Sequence, residues 1–194
     1  ASGAESLLEM VRSYLKQKHS KPGNVFVGLV HRLDRPVAGV VVFAKTSKGA
    51  SRISEQIRQH SVRKLYQALV EGEGLASEGV LIHYLKEEGF GTQVGETEKP
   101  GWKKAELVYR VLERGKRTTL VEIDLKTGRK HQIRAQFSCI GYPIVGDFRY
   151  GAKQSFKPEG IALMAVSFEF SHPTRSDERI CVALDPKESW KPWL

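Results

Sequence analysis

Val25-Phe26-Val27-Gly28-Leu29-Val30 and Val40-Val41-Val42-Phe43-Ala44 are two short apolar runs separated by His31-Arg32-Leu33-Asp34-Arg35-Pro36-Val37-Ala38-Gly39. Runs of this length and composition read as strands, and the second, continuous in apolar character, as a buried one. Pro36 and Gly39 make the intervening stretch a turn. A sheet on both sides holds such a turn rigidly. This one sets a single carboxylate, Asp34, between Arg32 and Arg35, and nearby positive charge favours the ionised form. A fixed, ionised carboxylate can act as nucleophile or base. Taken alone, the turn reads first as a structural salt bridge.

Toward the N-terminus, Ser2-Gly3-Ala4-Glu5 has the pattern of a capping box. Leu7, Leu8, Val11, Tyr14 and Leu15 then share one helical face, and Pro22-Gly23 ends the helix. Toward the C-terminus, Ser47 to His60 reads as a helix with Ala50, Ile53 and Ile57 on one face. Strands are expected over Leu65–Val70, Gly79–Leu85, Ile161–Phe170 and Ile180–Leu184. Alternation at Ala105, Leu107, Tyr109 and Val111, and again at Thr119, Val121, Ile123 and Leu125, predicts two antiparallel strands. Lys86 to Gly101 reads as a mobile loop or a hairpin tip. Arg129 to Ile140 reads as a helix with Ile133, Phe137 and Ile140 facing inward. Strands dominate, without a regular βαβ rhythm. The expectation is an α+β fold with a mixed, largely antiparallel sheet and flanking helices, one domain over residues 1–194.

Composition narrows the function. The 194 residues carry 31 Lys plus Arg against 22 Asp plus Glu, a formal net charge of +9. That excess suits an anionic partner such as nucleic acid. No apolar stretch is long enough for a membrane span, and no secretory signal is visible at Ala1. Cys139 and Cys181 form no CxxC pair and are expected to be buried thiols in a reducing, cytoplasmic setting. The six histidines show no metal-ligand spacing, and His31 and His131 are expected to hydrogen-bond. No phosphate-binding glycine loop and no GxSxG elbow occurs.

Two further segments carry chemistry. Gly128-Arg129-Lys130-His131-Gln132-Ile133-Arg134 gathers cations at an expected helix start, a setting that suits phosphate, with Arg134 one turn further in. An exposed basic helix start is an equal reading. In Lys64-Leu65-Tyr66-Gln67-Ala68, Tyr66 is either a packing residue or a platform for a nucleobase.

Together these segments resemble the RluA-type family of RNA pseudouridine synthases. His31-Arg32-Leu33-Asp34 resembles its HRLD signature, and Lys64 to Gly72 its K-x-Y-x-A-x-V-x-G segment. Gly128 to Arg134 resembles GRxHQIR, and Gly141 to Gly151 resembles GxPIxGD…YG. The resemblance runs from about Leu7 to about Leu184. It implies Asp34 as catalytic carboxylate, Tyr66 as active-site tyrosine and Arg134 as the arginine that pairs with Asp34. It implies Arg32 in opening the RNA stack and Ile133 in lining the uracil pocket. Arg35, Lys64, Arg129, Lys130 and His131 complete the expected RNA- and uridine-binding set. The implied reaction converts uridine in rRNA or tRNA to pseudouridine with no cofactor and no metal, in a cytoplasmic monomer that needs no obligate protein partner.

Two departures stand out. Val37-Ala38-Gly39 replaces the family's Thr-Ser-Gly, removing two hydroxyls near the turn. The chain also begins after the family's Asn-Lys-Pro-x-Gly segment, as expected of a fragment or a shortened member, and a missing strand would expose a sheet edge. That start motivates a rival reading, a non-catalytic RNA-binding relative. A glycosidic hydrolase pairing Asp34 with Asp124 or Asp147, and a plain assembly domain suited by the +9 charge, are further alternatives.

Overall fold

Alternating side chains build the sheet. In the computed structural model, which describes residues 5–20, 22–156, 160–175, 177–186 and 190, Ala105, Leu107 and Tyr109 are buried while Arg110 points to solvent. Three helices and ten strands follow in the order α1 (Leu7–Lys18), β1 (Gly28–Leu29), β2 (Ala38–Gly39), β3 (Phe43–Ala44), α2 (Ser47–Arg58), β4 (Arg63–Glu71), β5 (Glu78–Glu88), β6 (Gly91–Gly95), β7 (Lys103–Arg114), β8 (Thr118–Leu125), α3 (Gln132–Cys139), β9 (Leu163–Ser171) and β10 (Arg179–Ala183) among the described residues. Eight strands form one sheet with the path β10-β9-β4-β8-β7-β5-β6, and β2 joins β9 off that path. All pairings are antiparallel except β2 with β9, so the sheet is mixed and largely antiparallel as expected. β1 and β3 form a separate two-stranded ribbon.

The core lies between this sheet and α3. Leu69, Val70, Leu107, Val121, Ile123, Phe137, Ile144 and Trp190 are all buried in it. The Trp190 indole also donates to Gln67 Oε1 at 2.8 Å, which ties the far end of the chain to β4. A smaller cluster of Ile53, Phe168 and Phe170 seats α2, with Val30, Val40 and Val42 packed on it. Those valines belong to the two apolar runs that flank the Asp34 turn. The runs are therefore anchored chiefly by side-chain burial, because only Gly28–Leu29 and Phe43–Ala44 pair as strands.

Several expectations need correction. The capping box is Ser6 with Glu9, which donate and accept reciprocally, whereas Ser2 to Ala4 lie outside the described residues. On α1, Leu8, Val11 and Leu15 are half-buried but Leu7 and Tyr14 are exposed, so its apolar face is narrower than predicted. Of the two readings of residues 86–101, the hairpin holds and the mobile loop does not, since β5 runs on to Glu88 and turns at Gly89 into β6. Cys139 and Cys181 are exposed, not buried. Ile133 and Phe137 take the inward side of α3, leaving Cys139 outside, and Cys181 lies on the edge strand β10. Finally, α3 begins at Gln132, three residues later than expected. The Gln132 side chain accepts the Arg129 N–H at 3.0 Å and the Thr127 hydroxyl at 2.8 Å, and His131 adopts φ 52, so residues 129–131 form a tight turn instead of a helical one.

Candidate active site

The Asp34 turn is fixed by backbone bonds. The Val37 N–H donates to the Asp34 carbonyl at 2.9 Å, and the Val40 N–H donates to Ala165 of β9 at 2.8 Å. Between them β2 pairs in parallel with Met164 and Ala165. Gly39 permits that approach, because it has φ 124 and a Cβ there would meet the Ala165 carbonyl oxygen at 2.2 Å. Val37 packs on the main core. The turn thus has a rigid seat without the hydroxyls that Val37 and Ala38 lack. His31 closes its base. Its ring stacks on Phe168 at 4.6 Å and its Nε2 accepts the Val42 N–H at 2.9 Å. Burial, reinforced by the nearby Lys64 charge, lowers the His31 pKa to about 4. The ring is a neutral structural acceptor.

Asp34 sits on the wall of a cavity of about 300 Å³ that it shares with Lys64, Tyr66, His131, Ile133 and Arg134. The carboxylate is held from α3, where Arg134 Nη1 donates to Asp34 Oδ2 at 3.0 Å. The same guanidinium forms a two-point pair with Asp147, Nε to Oδ2 at 2.6 Å and Nη2 to Oδ1 at 2.9 Å. Arg134 is 5% exposed and Asp147 2%. Burial by itself would lower the arginine's pKa, but the bonds from Asp147 and Asp34 raise it instead. Beneath it the Tyr150 ring lies 5.0 Å from the guanidinium carbon, a cation–π arrangement. Arg134 is therefore constrained by a carboxylate, a ring and the helix, leaving Nη1 to aim at Asp34.

His131 completes this wall. Its left-handed backbone, uncommon for a residue with a Cβ, turns the imidazole between two partners. Nδ1 is 2.9 Å from the Tyr150 hydroxyl and Nε2 is 3.7 Å from Asp34 Oδ2. Burial lowers its pKa and Asp34 partly opposes that shift.

Tyr66 comes from β4, the strand between β8 and β9. At the Leu65–Tyr66 step the pairing with β9 shifts register, Leu65 facing Ser167 and Tyr66 facing Ala165, so Val166 is an extra residue. Such bulges re-aim neighbouring side chains. Burial, with a contribution from Asp34, pushes the Tyr66 phenol up to about 12. The group is a protonated phenol at neutral pH, suited to stacking and to donating a hydrogen bond.

Outside the cavity lies a wider basin of about 680 Å³ bordered by Arg32, Arg35, Lys130 and Arg149. The β5–β6 hairpin tip overhangs it. Lys130 Nζ donates to the Gly89 carbonyl at 3.0 Å and Arg149 to the Phe90 carbonyl at 2.7 Å. Phe90 itself is 85% exposed.

Every site residue expected from the sequence lines one of these two spaces. Asp34, Lys64, Tyr66, Arg129, His131, Ile133 and Arg134 meet in the inner cavity, and Arg35 and Lys130 border the basin, while Arg32 borders both. Asp147 and Tyr150 as supports of Arg134, and Arg149 on the rim, were not foreseen. Their signal was the Gly146-Asp147 and Tyr150-Gly151 pairs, which give no hint of a partner on α3. The paired-carboxylate reading loses its second carboxylate. Asp147 is buried and occupied by Arg134, and Asp124 binds Arg63 and Lys126 on β8. Among the described residues no group of His, Cys, Asp and Glu is arranged to hold a metal ion, and no helix is long and apolar enough to cross a membrane.

Comparison with known proteins gives the family. The family model described as RNA pseudouridylate synthase matches residues 3–139, which include Asp34, Tyr66 and Arg134. An uncharacterized RNA pseudouridine synthase of Aquifex aeolicus is 31% identical over 206 residues, covering 97% of this chain and 63% of that protein. The ribosomal large subunit pseudouridine synthase D of Pseudomonas aeruginosa is 39% identical over 131 residues, covering 68% and 40%. The tRNA pseudouridine synthase C of Vibrio parahaemolyticus is 34% identical, covering 79% and 70%. The chain thus spans between 40% and 70% of the length of these three relatives. In fold it is similar to human RNA pseudouridylate synthase domain containing 4, with TM-score 0.76 at 22% identity over 93% of this chain and 80% of that one. With the HRLD turn, the K-x-Y strand and the GRxHQIR segment converging on one cavity, and with these matches, the chain belongs to the RluA-type family of RNA pseudouridine synthases.

Proposed function

We propose that this chain isomerises specific uridines in structured RNA, rRNA or tRNA, to pseudouridine. The observation that carries the reading is the Asp34 carboxylate held by Arg134 at a cavity of about 300 Å³ that Tyr66 and Ile133 also line, with a cationic basin outside. The target nucleotide leaves its stack, at a cost of a few kcal/mol, and enters the cavity. Arg32, Arg35 and Lys130 hold flanking phosphates, and Arg32 also fills the space left in the stack. Tyr66 stacks on the extruded base and Arg134 orients Asp34. The C1′–N1 bond breaks, the uracil turns, and C5 bonds to C1′ while the C5 proton is lost and N1 gains one. Asp34 acts at C1′, at C6 or on the sugar. The reaction has no net redox change and transfers no group between molecules, so the same reading holds that it proceeds without a redox cofactor or a catalytic metal. One domain spans the chain, acting as a monomer without an obligate protein partner. The exposed, unpaired Cys139 and Cys181 are compatible with a reducing cytoplasm.

The test is release of tritium from RNA transcripts carrying [5-³H]uridine. Release by the parent and none by Asp34→Ala, with RNA affinity largely retained, is expected. Firm RNA binding with no release from rRNA or tRNA transcripts overturns the isomerase reading in favour of a non-catalytic RNA-binding relative.

A further inference from the structure

Lys64 shares a face of β4 with Tyr66, two residues on, and lines the same cavity as Asp34. It is partly buried, and no hydrogen-bond acceptor or carboxylate lies in bonding range of its ammonium among the described residues. The other basic side chains of the cavity differ. Arg129 donates to the Lys104 carbonyl, Arg134 is paired with Asp147 and Asp34, and Arg32 is exposed. Nζ is tucked beneath the turn at Gly128, where a Cβ would stand 3.3 Å from it. The anion that influences it, Asp124, is already bound to Arg63 and Lys126. Burial lowers the ammonium's pKa and Asp124 only partly offsets this. An unsatisfied cation inside a cavity costs free energy unless something that enters the cavity accepts from it.

We infer that Lys64 donates a hydrogen bond to a carbonyl oxygen of the extruded uracil and stabilises the negative charge the base carries when it leaves C1′. The inference rests on the isomerase reading and extends it. When the C1′–N1 bond breaks, both bonding electrons stay with the base and spread over N1, O2 and O4. A cation fixed beside one of these oxygens acts where charge develops and not on the neutral substrate, the arrangement that lowers a barrier most. Lys64 stays protonated throughout. The charge is discharged when C5 bonds to C1′, the C5 proton leaves and N1 takes one up, so atoms and charges balance. Lys64 then works at the departing base whichever of its routes Asp34 takes.

The experiment uses Lys64→Met, which keeps the chain length and removes the charge, and two RNAs with uridine or 5-fluorouridine at the target position. Fluorine makes the departing base less basic and less dependent on help. Loss of the N-glycoside is followed in single turnovers by mass spectrometry of nuclease digests. Lys64→Met is expected to slow uridine cleavage by about 100-fold or more, as for removal of one preorganised donor. It is expected to slow 5-fluorouridine cleavage by a much smaller factor, with RNA affinity at the parental value and a thermal midpoint at or above it, since the unpaired cation is gone. Equal losses on both RNAs, or a loss confined to affinity, overturn the assignment. A second measurement does not depend on turnover and so separates this inference from the isomerase reading. Free 5-fluorouracil is titrated with pH by ¹⁹F NMR in the presence of parent and variant. The parent is expected to lower the pH at which the bound base ionises, and Lys64→Met to abolish that shift. No anion preference in the parent overturns the role of Lys64 even where tritium release succeeds.

Discussion

Arg134 and Asp147 form a two-point pair at 2.6 and 2.9 Å, and that pair leaves Nη1 as the guanidinium nitrogen directed at Asp34, 3.0 Å away. The position of the Asp34 carboxylate is therefore set two side chains away from it. A buried aspartate decides where the arginine points, and the arginine decides where Asp34 rests.

Asp147→Asn tests this relay. Asparagine keeps the shape but loses the charge and one acceptor, leaving Arg134 as a buried cation with Asp34 as its remaining counter-charge. Removing one partner of a buried pair costs about 3–5 kcal/mol, so a large fall in denaturant midpoint is expected. In protein that remains folded, kcat should fall with little change in KM, because Asp147 touches no substrate. Unchanged kcat in the folded variant would show that Asp34 is placed by its own turn alone.

Tyr66 yields a prediction about pH. Its phenol, raised to about 12, remains protonated through the neutral range. The pH profile of kcat should show no rising limb from tyrosine ionisation between about pH 6 and 10. Tyr66→Phe, which keeps the ring for stacking, should preserve RNA affinity. A rising limb present in the parent and lost in Tyr66→Phe would make the phenolate the base that takes the C5 proton.

How much of this was readable in the sequence depends on the range of the interactions involved. The alternation through Ala105 to Val111 and Thr119 to Leu125 encodes its strands locally, and both form as expected. Asp34, Tyr66 and Arg134 are legible as motif residues, and the fold brings all three to one cavity. Asp147 escaped because its role depends on a partner 13 residues back on another element. The late start of α3 escaped because it rests on the Gln132 side chain binding Thr127 and Arg129, and helical periodicity does not record such bonds. The burial of the thiols was misjudged on residue type, since Cys139 follows the outward face of its helix and Cys181 an edge strand.

His31 makes stability depend on pH. Its folded pKa of about 4 lies below the value near 6.5 of the unfolded chain. The unfolded state therefore binds a proton first as pH falls. The stabilisation is fully present above about pH 6.5 and is lost between there and about pH 4, amounting to about 3 kcal/mol. His31→Gln keeps an acceptor for the Val42 N–H and should flatten the slope across that window in urea titrations. An unaltered slope would assign the acid sensitivity to other groups.

The rim arginines are expected to govern RNA affinity through charge. Arg32 and Arg35 border the basin without a protein acceptor among the described residues, whereas Lys130 and Arg149 already donate to the hairpin carbonyls. A free cation that neutralises a phosphate releases counterions, each contact contributing about 0.7 to 0.9 to the slope of log affinity against log salt. Arg35→Ala should weaken binding of all RNA sequences alike and reduce the slope by roughly that amount. Lys130→Ala should weaken binding less through charge and more through the hairpin, whose tip it holds. Its salt slope should therefore change little while hydrogen exchange at Gly89 to Gly91 speeds up. Equal slope changes in the two variants would mean that the Lys130 contact to Gly89 opens when RNA binds, placing all the rim cations on phosphate in the complex.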